Sequence, residues 1–141
     1  MKTIVIFLAC CLLAGCATSP VSYVTAEPVS PTNLLVGYQK FSSNTEGARR
    51  VIVVRDSGML GSAIPAKLSI NGIDVAKLWS SQRIEFFLQP DIYIFGVVPS
   101  PKLGGALVET TVDIKSGRSY ALRISLPGNG PFSLQQSTQL E

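Results

Sequence analysis

The chain contains no histidine, and its three cysteines, Cys10, Cys11 and Cys16, all fall in the first 16 residues. Without imidazole there is no Ser-His-Asp or Cys-His nucleophilic system, no zinc site built on histidine, and no usual general base near neutral pH. Beyond residue 16 there is no thiol either, which excludes cysteine nucleophiles, thiolate metal sites and disulfides from the rest of the chain. No serine has a lysine three residues on, so a serine–lysine dyad of that spacing is missing as well. Gly58-Met59-Leu60-Gly61 and Gly104-Gly105 precede no helical pattern and do not read as phosphate-cradling loops. Charged residues make up only 15% of the chain, 12 basic against 9 acidic. The basic residues are scattered, with Arg49-Arg50 the one doublet, so nothing builds the single-sign field that captures nucleic acid. The longest apolar run, near the start, is about ten residues, well short of the ~20 a helical bilayer span needs.

That apolar run, Ile4 to Leu13, follows Lys2 and leads into Ala14-Gly15. A positive start, an apolar middle and small residues before a cut are the order of a secretory signal. Small side chains are required there because the peptidase grips extended backbone. The tetrapeptide Leu13-Ala14-Gly15-Cys16 resembles the lipobox of bacterial lipoproteins. The resemblance implies cleavage of residues 1–15, acylation of Cys16 and attachment to a membrane through that residue. The same residues also suit an ordinary secretion signal, with Cys16 following the cut by chance. Ala17, directly after the cysteine, resembles the residue found in lipoproteins exported to the outer membrane, which implies that location; the expected face is the periplasmic one, and Ala17 itself does not decide between periplasm and medium. Loss of residues 1–15 removes Lys2, Cys10 and Cys11, leaving 11 basic and 9 acidic side chains, a balance of +2, and no free thiol. Stability must then come from packing.

Residues 16–47 read as the lipidated N-terminus and a flexible tether. Pro20, Pro28 and Pro31 punctuate a Ser/Thr-rich stretch that buries too little apolar area to offset the entropy of ordering. Leu34-Leu35-Val36 and Phe41 interrupt it and leave open a short strand over 32–41. A coil of about 30 residues reaches roughly 30 Å.

From residue 48 to 136 the pattern is that of β structure. Val51-Ile52-Val53-Val54 is a β-branched run that reads as a strand buried on both faces. Ala66 to Ile70 alternates, and Asn71-Gly72 gives a two-residue hairpin signal before Val75 to Leu78, because both residues tolerate positive φ. Arg83 to Leu88, Ile92 to Val98, Leu107 to Ile114, Tyr120 to Leu126 and a weak segment from Phe132 to Gln136 follow, separated by turn residues. No window outside the signal has a helical period. The expected fold is all-β: an antiparallel β-sandwich of about seven strands, with residues 137–141 as a polar tail.

The turns carry a second resemblance. Arg50 to Arg55, Asp56-Ser57-Gly58, Gly61-Ser62-Ala63, Asn71-Gly72 before Val75-Ala76-Lys77-Leu78, Leu88 to Tyr93 and Gly117 to Arg123 are similar to an uncharacterised family of small bacterial lipoproteins. That family is similar in pattern to PEGA-like and transthyretin-like β-sandwiches. Pro90-Asp91 stands where those domains carry Pro-Gly, and Asp also occupies turns. The resemblance implies the fold and no chemistry.

Carboxylate catalysis is the one route that composition leaves open. Asp56, Asp74, Glu85, Asp91, Glu109 and Asp113 fall mostly at turns or on solvent-facing strand positions, where a solvated charge is the expected state; no catalytic residue, metal site or cofactor is assigned. Strand parity says more about contacts. If each strand reverses direction, the connections 56–65, 79–82 and 99–106 gather at one end of the sandwich and the tight turns 71–74, 89–91 and 115–118 at the other. The first end carries Met59, Leu60, Trp79, Lys102 and Leu103, a candidate binding rim on long loops. Trp79 also suits a simple core plug. The expected function is a lipid-anchored, non-catalytic interaction or structural accessory module of the bacterial envelope, with an envelope protein or the cell wall as partner. The alternative is a carbohydrate- or small-ligand-binding sandwich with Trp79 and Tyr93 as stacking platforms.

Overall fold

The computed structural model describes residues 18–59, 61–101, 105–115, 118–127 and 130–138. Among these are nine strands: β1 Glu27–Pro28, β2 Arg49–Arg55, β3 Ala66–Ile70, β4 Ile73–Leu78, β5 Gln82–Leu88, β6 Ile92–Pro99, β7 Val108–Asp113, β8 Tyr120–Ser125 and β9 Ser133–Ser137. They form a five-stranded sheet in the order β1-β5-β2-β8-β9 and a four-stranded sheet in the order β4-β3-β6-β7. The fold is an all-β sandwich.

Alternation along each strand decides which side chains meet between the sheets. Val51 and Val53, Phe86 and Leu88, and Leu122 and Ile124 face inward from the larger sheet, Leu68, Ile70, Phe95, Val97 and Val112 from the smaller, all 2% exposed or less. Phe86 and Phe95 meet across the layers with ring centroids 6.4 Å apart. The β3–β4 hairpin turns on Asn71 and Gly72 at φ of 49° and 76°, as that dipeptide requires. Asn71 also accepts from the amide of Ile94 through Oδ1 at 2.8 Å, so its side chain prolongs the β3–β6 pairing.

Two findings differ from the sequence reading. The sandwich is mostly, but not wholly, antiparallel: β2 runs parallel to β8, with Val51 opposite Tyr120 and Arg55 opposite Ile124, and β1 runs parallel to β5. Parity fixes each strand's direction but not its neighbour. β2 and β8 run the same way, so placing them side by side makes a parallel pair.

The second difference is a correction. The tether expected over 16–47 is, from residue 18, a strap fastened to the sandwich. Ser19 bridges Ser57, and residues 21–26 cross the outer face of the five-stranded sheet, where Ala26 covers Ile52 and Val54. β1 then extends the sheet beside β5, and Leu34 bridges Ala76 on the edge of β4. The 3-10 turn Val36–Phe41 delivers Phe41 into the main core and Tyr38 edge-on to Phe86 at 5.9 Å. The Pro/Ser/Thr composition cannot make a core of its own, but docking on an existing sheet requires only a few apolar side chains at the right spacing. β2 is thus buried on both faces because the strap covers its second face.

Candidate functional site

The two ends of the sandwich differ. As parity requires, the connections after β2, β4 and β6 lie at one end and the turns after β3, β5 and β7 at the other. The long-loop end is organised by Arg55, the last residue of β2, which follows Val51 and Val53 on the inward face. It is 3% exposed. Its Nη1 donates to the carbonyls of Ile64 at 2.8 Å and Leu78 at 2.7 Å, and its Nη2 to that of Gly61 at 2.7 Å. The ring of Phe132 lies 5.0 Å from the guanidinium carbon. Burial draws the Arg55 pKa down to about 10, which still leaves the group charged at neutral pH. One side chain therefore ties the 56–65 loop to the end of β4.

Of the expected rim, Met59 is 82% exposed and Trp79 38% exposed at this end. The Trp79 amide donates to Gln82 Oε1 at 2.9 Å, and Ser80 Oγ reaches the Asp56 carbonyl at 3.4 Å, which holds the turn against the start of the 56–65 loop. Leu60, Lys102 and Leu103 lie outside the described residues, as do Leu13, Ala14, Gly15 and Cys16. Tyr93 is not beside Trp79. It pairs with Val112 near the start of β6, at the tight-turn end, half-buried against the core, and burial raises its pKa.

The tight-turn end holds a feature that the sequence reading did not reach. An open depression of about 380 Å³ on the five-stranded sheet is lined by Asn44, Arg49, Arg50, Phe87, Arg118 and Ser119, with Ala48. The register explains the convergence: Arg49 and Arg50 pair with Leu88 and Phe87 of β5, while parallel pairing of Val51 with Tyr120 brings Arg118 and Ser119 to the same corner. Arg50 is engaged by Glu85 and by the hydroxyl and ring of Tyr23. Arg118 lies over the ring of Tyr120 at 4.9 Å. The Arg49 Nε is buried without a hydrogen-bond partner. Neither Arg49 nor Arg118 forms an ion pair among the described residues. The sole sequence signal was the Arg49-Arg50 doublet, which gives no hint of Arg118.

Several of the carboxylates considered for catalysis are engaged by cations. Asp56, 5% exposed, is paired with Arg123 and accepts from the Val21 amide at 3.2 Å. Glu85 accepts from Arg50, Arg83 and the Tyr23 hydroxyl, and the bond from Arg50 above all holds its pKa below the ordinary carboxylate value. Asp74 pairs with Lys67 and Asp113 with Lys115. No group of three or more metal-ligating side chains occurs among the described residues. No family model matches the chain, and no curated protein matches it.

Proposed function

We propose that this chain is a lipid-anchored lipoprotein of the bacterial envelope whose sandwich acts by contact rather than catalysis, as a member of the small-lipoprotein type that its turns resemble. The observation that carries the contact reading is the state of the carboxylates. An acid catalyst needs a carboxyl held protonated near neutral pH. Glu85, which fastens the strap to the sheet, is instead surrounded by Arg50, Arg83 and the Tyr23 hydroxyl, which favour its ionised form, and Asp56 is taken up by its ion pair with Arg123.

The arginine-lined depression is the surface best suited to a partner. Arg49 and Arg118 both line it, and neither forms an ion pair among the described residues. A carboxylate or phosphate group on an envelope protein or on the cell wall would gain charge-assisted bonds from these two guanidinium groups. Carbohydrate stacking on Trp79 and Tyr93 is the weaker reading, because those rings stand at opposite ends of β6 and its neighbours.

Two measurements test the proposal. Radioactive palmitate fed to expressing cells labels the wild-type chain and not Cys16→Ser; label persisting in the variant refutes Cys16 as the attachment point. A photo-crosslinker at position 118 of the membrane-bound protein gives a discrete adduct that Arg49→Met abolishes. An adduct pattern indifferent to Arg49 overturns the depression as the contact surface.

A further inference from the structure

From the way the strap is fastened we infer that the long-loop end of the sandwich lies against the lipid surface, with Met59 and Trp79 entering the headgroup region. The inference rests on the anchor reading above, and it replaces a domain held off the membrane by a long coil with one seated directly upon it. The decisive contacts are at the start of the described chain. The Ser19 amide donates to the Ser57 carbonyl at 2.8 Å and the Ser57 amide returns to Ser19 at 3.1 Å. Thr18 packs so closely on Gly58 that a Cβ there would come within 2.9 Å of Thr18 Cγ2. Farther along, the Val21 carbonyl accepts from Arg123, whose other partner, Asp56, also holds the Val21 amide. The chain is thus bonded to Asp56 and Ser57 from residue 19 onward, with Thr18 packed against Gly58.

Only Ala17 stands between Cys16 and Thr18, and two residues span at most about 7 Å even when fully extended. An acylated Cys16 holds its chains in the bilayer, so Thr18, Gly58 and the neighbouring Met59 are brought to within about one headgroup layer of the hydrocarbon. The side chains exposed there suit that position. Met59 is flexible, apolar and 82% exposed. Trp79 is 38% exposed, and indole favours the membrane–water boundary, where its ring is apolar and its N–H finds water or headgroup oxygens. Ile92 is also exposed, at 60%, but it pairs with Asp113 at the far end of β6, beyond the reach of the anchor. Seating the long-loop end on lipid turns the arginine depression away from the membrane, towards the partner proposed above.

Trp79 is the only tryptophan of the chain, so its emission reports on itself. The acylated full-length protein is reconstituted into phosphatidylethanolamine–phosphatidylglycerol vesicles with and without brominated acyl chains. Interfacial side chains sit ~5–10 Å into the boundary, so bromolipid is expected to lower Trp79 emission roughly twofold. A fluorophore on Met59→Cys is shielded from an aqueous quencher, while one on Arg118→Cys is fully accessible. Both substituted positions are exposed, and Trp79 stays native, so the readout does not depend on a destabilised fold. Mass spectrometry of the N-terminal peptide separates the two readings. Lipid on Cys16 with unquenched Trp79 and equal access at 59 and 118 overturns the seating and leaves the anchor standing. An N-terminal peptide without lipid removes the anchor and the seating with it.

Discussion

At one end of the sandwich the Arg55 guanidinium is sealed among three carbonyls. At the other, Arg49 keeps a buried donor with no acceptor, and Arg118 is exposed. The same side chain does two kinds of work, and what separates them is where the acceptors come from. Arg55 receives them from its own chain, because the 56–65 loop is long enough to fold its carbonyls back over the strand end. The tight-turn end has little loop to fold back; Arg50 finds its partners in Glu85 and Tyr23 instead, while Arg49 and Arg118 are left without an ion pair among the described residues. An arginine is structural where the fold supplies its acceptors and available for recognition where it does not.

The sharpest break of that comparison is Arg55→Met. The apolar stem is kept, while the carbonyls of Gly61, Ile64 and Leu78 lose the guanidinium, that of Gly61 retaining the Ile64 amide at 3.1 Å. Each unsatisfied buried acceptor costs ~1–3 kcal/mol, and water can rescue the loop carbonyls in part, so the expected loss is about 3 kcal/mol. Urea denaturation should show a fall in midpoint well beyond any produced at the tight-turn end. A midpoint within error of wild type removes Arg55 as the organiser of the loops.

The next largest effect concerns Glu85, which fastens the strap through Tyr23 and restrains Arg50 beside the depression. Its folded-state pKa is depressed, chiefly by Arg50. Its stabilising contribution is therefore complete above the unfolded carboxylate value near pH 4.3 and is lost as pH falls through the lower folded value. The group is partly exposed, so solvent screening limits the term to about 1 kcal/mol or less. Glu85→Gln should lower stability modestly at pH 7 and flatten the acid limb of the stability–pH curve. An unchanged acid limb contradicts the assignment.

Smaller still in stability is Arg49→Met, expected to fall within about 0.5 kcal/mol of wild type, since the lost Nε had no partner. Its effect should appear in binding. Pyrophosphate, as a probe anion, should raise the thermal midpoint of the wild type and not of the variant, at constant ionic strength. Equal responses would falsify the depression as an anion site.

Much of the fold was legible because strand period and turn chemistry are local. Asn71-Gly72 dictated the β3–β4 hairpin, and alternation along Arg83–Leu88 and Tyr120–Leu126 picked out the core faces. What is non-local was hidden. The strap was misread from a composition that describes independent folding, although the sequence held a contrary sign: Val51–Val54 reads as buried on both faces, and a two-layer sandwich leaves β2 one face without cover. Arg55 was also within reach of the parity argument, as the residue that continues Val51 and Val53 inward. The meeting of Arg49 with Arg118 was not, because it depends on the parallel pairing of β2 with β8.

The smallest predicted effect compares backbone strain at the two ends. Asn71 and Ser81 both hold positive φ, at 49° and 64°. A non-glycine residue in that region costs about 1 kcal/mol or somewhat more. At Asn71 a side-chain bond to the Ile94 amide offsets the cost, whereas the Ser81 hydroxyl makes no hydrogen bond among the described residues. Glycine relieves the left-handed strain at either site but adds freedom to the unfolded chain, which cancels part of the gain. Ser81→Gly should therefore stabilise by about 0.5 kcal/mol, while Asn71→Gly should be neutral or destabilising because it gives up the bond to β6. Urea midpoints of the two variants, measured side by side, decide the point. A gain at Asn71 equal to that at Ser81 would mean that the Asn71 side chain contributes nothing to holding β3 against β6.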